Sequence, residues 1–412
     1  MKIIKILASI LVVIAILIGW NWDNIQRLIQ VKTLFDADKI VHNFSHMDEL
    51  LFADNLPKSG KAHIWPLELK ALPKTYTDRG ISKNTEAMLE ELQTTALVIV
   101  KDGTIVFEDY YKGTGSEDRR MSWSMSKSFV SALTGLAIER GEIKNINDPV
   151  TDYVPILKGS AYDGVPLLHV LNMASGIDFD ENYLDPSSDI NKMGTVLGLG
   201  GSLDEFAADQ KNIVRPSGTA WQYCSIDTHV VSMVLRAATG KTLQQYFVDN
   251  LWSKIGASGD AYYSTDGDGN AFALGGLNMR TRDYALFGEI IRNDGKRGDE
   301  QIIPADWIKK STAQSAPTAI PRPTTSTENG SVFGYGYQWW LPPESDDEVF
   351  AVGIYGQYIY INRKAGIVLA KNAAHREFMD SDEKGESYMM QNITLFRQIA
   401  EHYSDWRYMQ SE

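Results

Sequence analysis

Short apolar runs bounded by turn residues alternate along this chain with stretches whose apolar positions recur every three to four residues. Ala96–Val100 and Thr104–Phe107 flank Lys101-Asp102-Gly103. This predicts a strand, a tight turn and a strand, because Asp-Gly supplies the positive backbone angles of a two-residue hairpin. From Met121 the rhythm changes: Met125, Phe129, Leu133 and Leu136 mark one apolar face of a helix running to about Arg140. Residues 141 to about 290 read as mostly helical, with loops such as Asp178–Gly201 and a helix from Thr228 to Ala238 stopped by Gly240. Strands return at Gly334–Trp340, Phe350–Val352, Tyr358–Ile361 and Ile367–Ala370, and a last helix covers about Tyr388–Tyr403. Strands at both ends with helices between them predict an α+β fold. One sheet is assembled from the two ends of the chain and flanked by an inserted, mostly helical subdomain.

The first residues follow a different pattern. A short positive segment, Met1–Lys5, precedes an uncharged run from Ile6 to Trp20, which with Ile3 and Ile4 approaches the ~18–20 residues that cross a bilayer. Leu17–Trp22 offers no small-x-small cleavage site, and Trp20 and Trp22 suit a membrane interface. The expectation is an N-terminal anchor within residues 1–22 that contacts the inner membrane through residues 3–20. Lys2 and Lys5 would stay inside and the body would stand on the periplasmic or extracytoplasmic side. The alternative is a cleaved signal and a secreted body. Residues 23–60, with Ile25, Leu28, Ile29 and Leu34 at helical spacing, read as a stalk or linker helix. Residues 61–412 show no low-complexity linker or repeat and read as one unit, helical over about 141–290.

Composition narrows the chemistry. The 412 residues carry 40 Lys+Arg against 53 Asp+Glu, a net charge of −13, and are 43% hydrophobic. That is a globular chain without the basic face a nucleic-acid binder needs. One cysteine excludes an internal disulfide framework and a zinc site of several thiolates. No metal or cofactor is expected. Thr239-Gly240-Lys241-Thr242 lacks the leading glycine of a phosphate loop, since Leu235 stands there. Asp266–Asn270 begins like a calcium loop, but Ala271 and Leu277 occupy the positions that need glycine and glutamate. His375 lies near the C-terminal strands and is considered as a site residue on that ground alone.

Ser124-Met-Ser-Lys127 is the candidate chemical centre. Residues three apart share a helix face, so the lysine amine reaches the serine oxygen. A serine hydroxyl needs a base, and burial plus the positive end of the helix dipole would make Lys127 one. The same helix start offers backbone N–H groups to an oxyanion. The spacing alone also fits an N-cap serine with a surface lysine, and Ser381–Lys384 repeats it in a polar stretch, as chance would. Tyr223-Cys224-Ser225 is a second piece, in which the phenol could relay a proton if a cation lies close. A tyrosine packed in the core is the other reading of Tyr223.

Five segments in order carry a resemblance: Trp123–Phe129, His169–Gly176, Tyr223–Ser225, Ala238–Leu243 and Gly275–Asp283. Over about residues 90–375 the chain resembles serine β-lactamase-related hydrolases, most of all class C-type esterases and 6-aminohexanoate-oligomer hydrolases. The resemblance implies a β-lactamase/transpeptidase-like fold, with Ser124 as acylated nucleophile, Lys127 as its base and Tyr223 as proton relay. It also implies Ser225 in support, Tyr183 in contact with substrate, and Gly353 and Ile354 near the strand that completes the oxyanion hole. The Lys-Thr-Gly triad of β-lactamases and penicillin-binding peptidases is missing from that strand, and Ser225 stands where most relatives have asparagine. Both departures point to a small ester or amide as substrate. The alternatives are a penicillin-binding-type carboxypeptidase, a weak β-lactamase, or a slow-turnover acyl-binding or sensor protein.

Overall fold

The computed structural model describes residues 2–322, 331–345, 347–379 and 382–408, which leaves Ser381 of the second Ser-x-x-Lys outside the described residues. Helices α1 (Lys2–Trp20) and α2 (Trp22–Lys32) come first, followed by strand β1 (Phe52–Leu56). The predicted hairpin is β2 (Thr94–Lys101) and β3 (Thr104–Tyr110). It turns through Asp102 at φ 46° and Gly103 at φ 79°, a left-handed pair that matches strand twist. Strand β4 (Arg120–Met121) leads through a single 3-10 turn, Trp123–Met125, into α3 (Ser126–Glu139). The helical part holds α4 (Asp189–Leu199) and α5 (Ser225–Thr239), and then come β5 (Ala261–Thr265), β6 (Leu277–Met279) and α6 (Thr281–Arg292). The C-terminal third supplies β7 (Gly334–Gly336), β8 (Trp339–Leu341), β9 (Glu348–Gly353), β10 (Gln357–Asn362), β11 (Ile367–Ala373) and α7 (Asp382–Tyr403).

The main sheet has the order β7-β8-β9-β10-β11-β2-β3, antiparallel throughout, so the two ends of the chain meet at the β11–β2 pair. Alternation along the strands sends Val98, Ile359, Ile361 and Val368 to the core shared with α3 and α6. It sends Leu97, Ile99, Tyr358 and Tyr360 to the core under α7. Helix α6 comes unusually near the sheet, because a Cβ at Gly288 would lie 2.6 Å from Val368 Cγ1. Helix α7 ties down β9 by a buried ion pair: Arg397 Nη2 lies 2.7 Å from Glu348 Oε2, and the Tyr360 hydroxyl donates to the same carboxylate.

Two departures from the sequence pattern have local causes. Gly334–Trp340 is a tight hairpin rather than one strand, turning at Tyr337 and Gln338 (φ 39° and 73°). The buried Gln338 side chain donates to Leu171 O (2.8 Å) and accepts from Thr228 Oγ1 (2.7 Å), which pins the bend to the helical part. A second sheet of order β1-β5-β6-β4 runs through the stretch read as mostly helical. Strands β5 and β6, which fall in that stretch, are too short and too completely buried to alternate.

The N-terminal segment from Trp22 onward lies against the body. Gly198 of α4 gives α2 room, with its Cβ position 3.4 Å from Val31 Cγ2 and 3.5 Å from Leu28 Cδ1. Arg27 stacks its guanidinium 3.7 Å from the Phe52 ring centre, and Asn43 Nδ2 donates to Leu34 O at 2.9 Å. Ile4, Leu7, Leu11 and Trp20 of α1 are exposed. Among the described residues no helix is long and apolar enough to cross a membrane, so the expected anchor gains no support here.

Candidate active site

The turn that presents Ser124 is held in a costly conformation. Trp123 has φ 44°, a left-handed backbone rare for a bulky side chain. Surrounding contacts must enforce such a geometry. Here the Trp123 ring packs on Phe44 at 5.5 Å, Tyr355 at 5.7 Å and Phe35 at 5.8 Å. Beneath it, Ser122 N donates to Leu277 O (2.8 Å) and Ser122 Oγ to Gly275 O (3.2 Å). The Gly275–Asp283 segment is thus the floor of the nucleophile turn.

One turn on, Lys127 is 1% exposed. Its Nζ donates to Ser124 Oγ at 3.0 Å, Ser225 Oγ at 3.2 Å and Leu274 O at 3.2 Å. Burial lowers this amine to about 8, against the opposing pull of Glu181, Cys224 and Asp227. The surface-lysine reading is therefore excluded. Tyr223 sits on the other side, its ring centre 5.1 Å from Lys127 Nζ and stacked on Trp340 at 5.6 Å. Burial raises its phenol, and hydrogen bonding with Ser124 and Ser225 only partly offsets this.

Sequence reasoning missed Glu181. Its Oε2 accepts from Ser225 N at 2.9 Å, and its Oε1 accepts from Tyr183 OH at 2.8 Å and from the Ser225 hydroxyl. Burial raises this carboxyl while Lys127 holds it down. The chain of contacts runs Tyr183, Glu181, Ser225, Lys127, Ser124. Glu181 lies in an acidic stretch of the Asp178–Gly201 loop that reads locally as solvated, so only its placement in three dimensions reveals it. A second buried acid, Asp227, accepts from Tyr162 OH at 2.7 Å and is pushed up to about 7, chiefly by burial.

Gly353 ends β9 directly against the turn, since a Cβ there would stand 2.4 Å from Ser122 O. Ile354 and Tyr355 follow it and line a cavity of about 630 Å³ with Tyr183, Ser124 and Ser225. The other residues considered fall elsewhere. Cys224, between Tyr223 and Ser225, is buried with its thiol raised by burial. His375 packs its ring 4.3 Å from Tyr388 and does not line this cavity. His169 Nδ1 lies 3.1 Å from Ser217 Oγ, packed over Gly218. Gly240 is left-handed at φ 66° and stops α5, while the Asp266 carboxylate accepts the backbone N–H groups of Leu203, Asp268 and Asn270.

Comparison with known proteins places this geometry among relatives. The family model described as Beta-lactamase matches residues 81–390. A 6-aminohexanoate-dimer hydrolase of Paenarthrobacter ureafaciens is 31% identical over 293 residues, 69% of this chain and 74% of that one. A Bacillus anthracis structure, provisionally designated a 6-aminohexanoate-dimer hydrolase, superposes with a TM-score of 0.78 at 22% identity, covering 90% of this chain and 95% of that one. The structure of EstCE1, a hydrolase with promiscuous acyltransferase activity, gives 0.58 at 15% identity, covering 77% and 96%.

Proposed function

The chain belongs to the beta-lactamase family and is a serine-type hydrolase, and from that premise we propose that it cleaves a small ester or amide through an acyl-enzyme on Ser124. Lys127, neutral in a fraction of molecules, takes the Ser124 proton as the hydroxyl attacks the carbonyl. Tyr223 then gives its proton to the departing alcohol or amine and is reprotonated through Lys127. Backbone N–H groups at the start of α3 and beside Gly353–Ile354 face the developing oxyanion. Ser225 and Glu181 hold the Lys127 amine, and Tyr183 borders the substrate. Water completes the cycle by attacking the acyl-enzyme.

The observation that carries this reading is the buried Lys127 amine donating to Ser124 Oγ at 3.0 Å. The relative named for a 6-aminohexanoate dimer supports an amide among the substrates. The test is mass spectrometry after a fluorophosphonate, together with turnover of short aryl esters by wild type and Ser124→Ala. An adduct on Ser124 and loss of turnover in the variant are expected. Wild-type turnover by Ser124→Ala would defeat the assignment.

Location is part of the same proposal. We place residues 3–20 in the inner membrane with the body outside the cytoplasm. The apolar run Ile6–Trp20 and the lysines that precede it in the sequence support this. A chain found with its N-terminus cut after Trp20 would replace the anchor with a secreted body.

A further inference from the structure

The cavity at Ser124 is walled mainly by hydrocarbon. Leu28 and Val31 of α2 and Met193 and Leu197 of α4 line it, together with Met47 and Phe272. Several of its polar groups are committed, while the buried Trp123 indole N–H has no partner among the described residues. Asn191 Nδ2 donates to the carbonyls of Tyr183 at 3.0 Å and Asp185 at 2.8 Å, and the Tyr183 hydroxyl serves Glu181. Among the described residues no carboxylate lines the cavity, and Lys32, which is exposed, is the one charged lining residue.

We infer that this cavity receives an uncharged, apolar acyl chain and that α2 is the wall that selects it, an inference that rests on the acyl-hydrolase reading above. An ammonium carried into such a space would lose its hydration with no carboxylate to replace it. An alkyl chain instead gains with every methylene it buries, by about fourfold in binding for each. The wall is fixed in place. Helix α2 is fitted to α4 at Gly198 and stapled by Arg27 over Phe52. Just past its end, Phe35 stacks on Tyr355 at 4.8 Å and its carbonyl accepts from Arg376 Nε at 2.8 Å. The segment that leads away from α1 is therefore also the face an acyl chain would lie against, in the same cavity as Ser124.

The experiment uses the full-length protein and p-nitrophenyl esters of acetate, hexanoate and 6-aminohexanoate. The ratio of kcat/KM for hexanoate over acetate is expected to reach at least about 30, below the full gain of four methylenes because burial is incomplete. The ω-ammonium ester should fall at least about tenfold below hexanoate. Val31→Asp and Leu28→Asp should each cut the hexanoate-to-acetate ratio at least about tenfold, a ratio that does not depend on the fraction of active protein. A flat or falling series, a preference for the ammonium, or ratios unmoved by both variants would overturn the inference while a fluorophosphonate still labels Ser124. No turnover of any ester and no label would remove the acyl-hydrolase reading along with it.

Discussion

With its amine lowered to about 8, Lys127 is neutral in about a tenth of molecules at pH 7, half at pH 8 and nearly all at pH 10. If this amine is the base for Ser124, the acylation rate must climb about tenfold between pH 7 and pH 10, with a midpoint near 8. The direction follows from the sign of the shift: burial disfavours the ammonium, so the useful neutral form appears earlier than it would on an exposed lysine. Glu181 works against burial by favouring the ammonium. Glu181→Gln removes that charge but keeps an acceptor for the Ser225 N–H that now lies 2.9 Å from the carboxylate. The midpoint in the variant should therefore move to lower pH, even if less precise positioning of Lys127 reduces the plateau. The assay is the second-order rate of fluorophosphonate labelling from pH 5.5 to 10.5, which reads the free protein and does not depend on deacylation. A rate independent of pH over this range, or a midpoint that rises in Glu181→Gln, would refute both Lys127 as base and Glu181 as its charge partner.

Further consequences can be checked singly. Tyr223→Phe keeps the stack on Trp340 but removes the proton donor, so kcat for an amide should fall by about 10²–10⁴, measured by amine release. Gly353→Ala places a methyl where Ser122 O stands and should destabilise the fold by about 1–3 kcal/mol in denaturant while lowering labelling of Ser124. Arg397→Ala leaves Glu348 charged and buried under α7. It should cost about 3–5 kcal/mol, read as a large drop in Tm. Cys224 should resist iodoacetamide in the native protein at pH 8 and react on unfolding, because burial keeps its thiol protonated.

The hairpin at Asp102-Gly103 and the amphipathic α3 were legible in the sequence because each depends on its own residues. Ser124 and Lys127 were legible as a candidate pair because they stand three residues apart at a helix start, although the burial that turns the lysine inward is not encoded in that spacing. The bend at Tyr337–Gln338 was not, since its cause is a set of hydrogen bonds to Leu171 and Thr228 far away in the chain. Strands β5 and β6 escaped notice because they are buried on both faces and short. Glu181 was the most consequential omission. An acid in a loop resembles any solvated acid until Ser225 and Lys127, brought in from two other helices, close over it.

The ring cluster around Trp123 gives the strained turn a practical vulnerability. Phe35 belongs to that cluster although it lies nearly ninety positions earlier in the chain, in a segment that a designer of a shortened, easily expressed form would cut first. A protein trimmed to begin near residue 40 keeps Ser124, Lys127 and Tyr223. It loses one of the three rings that hold a left-handed tryptophan in place. Such a form should start with a correct fold and then lose its reactive serine gradually on storage or mild warming, as the turn relaxes to an unstrained backbone. A preparation of this kind would be judged feeble by its catalysis when its actual defect is shelf life.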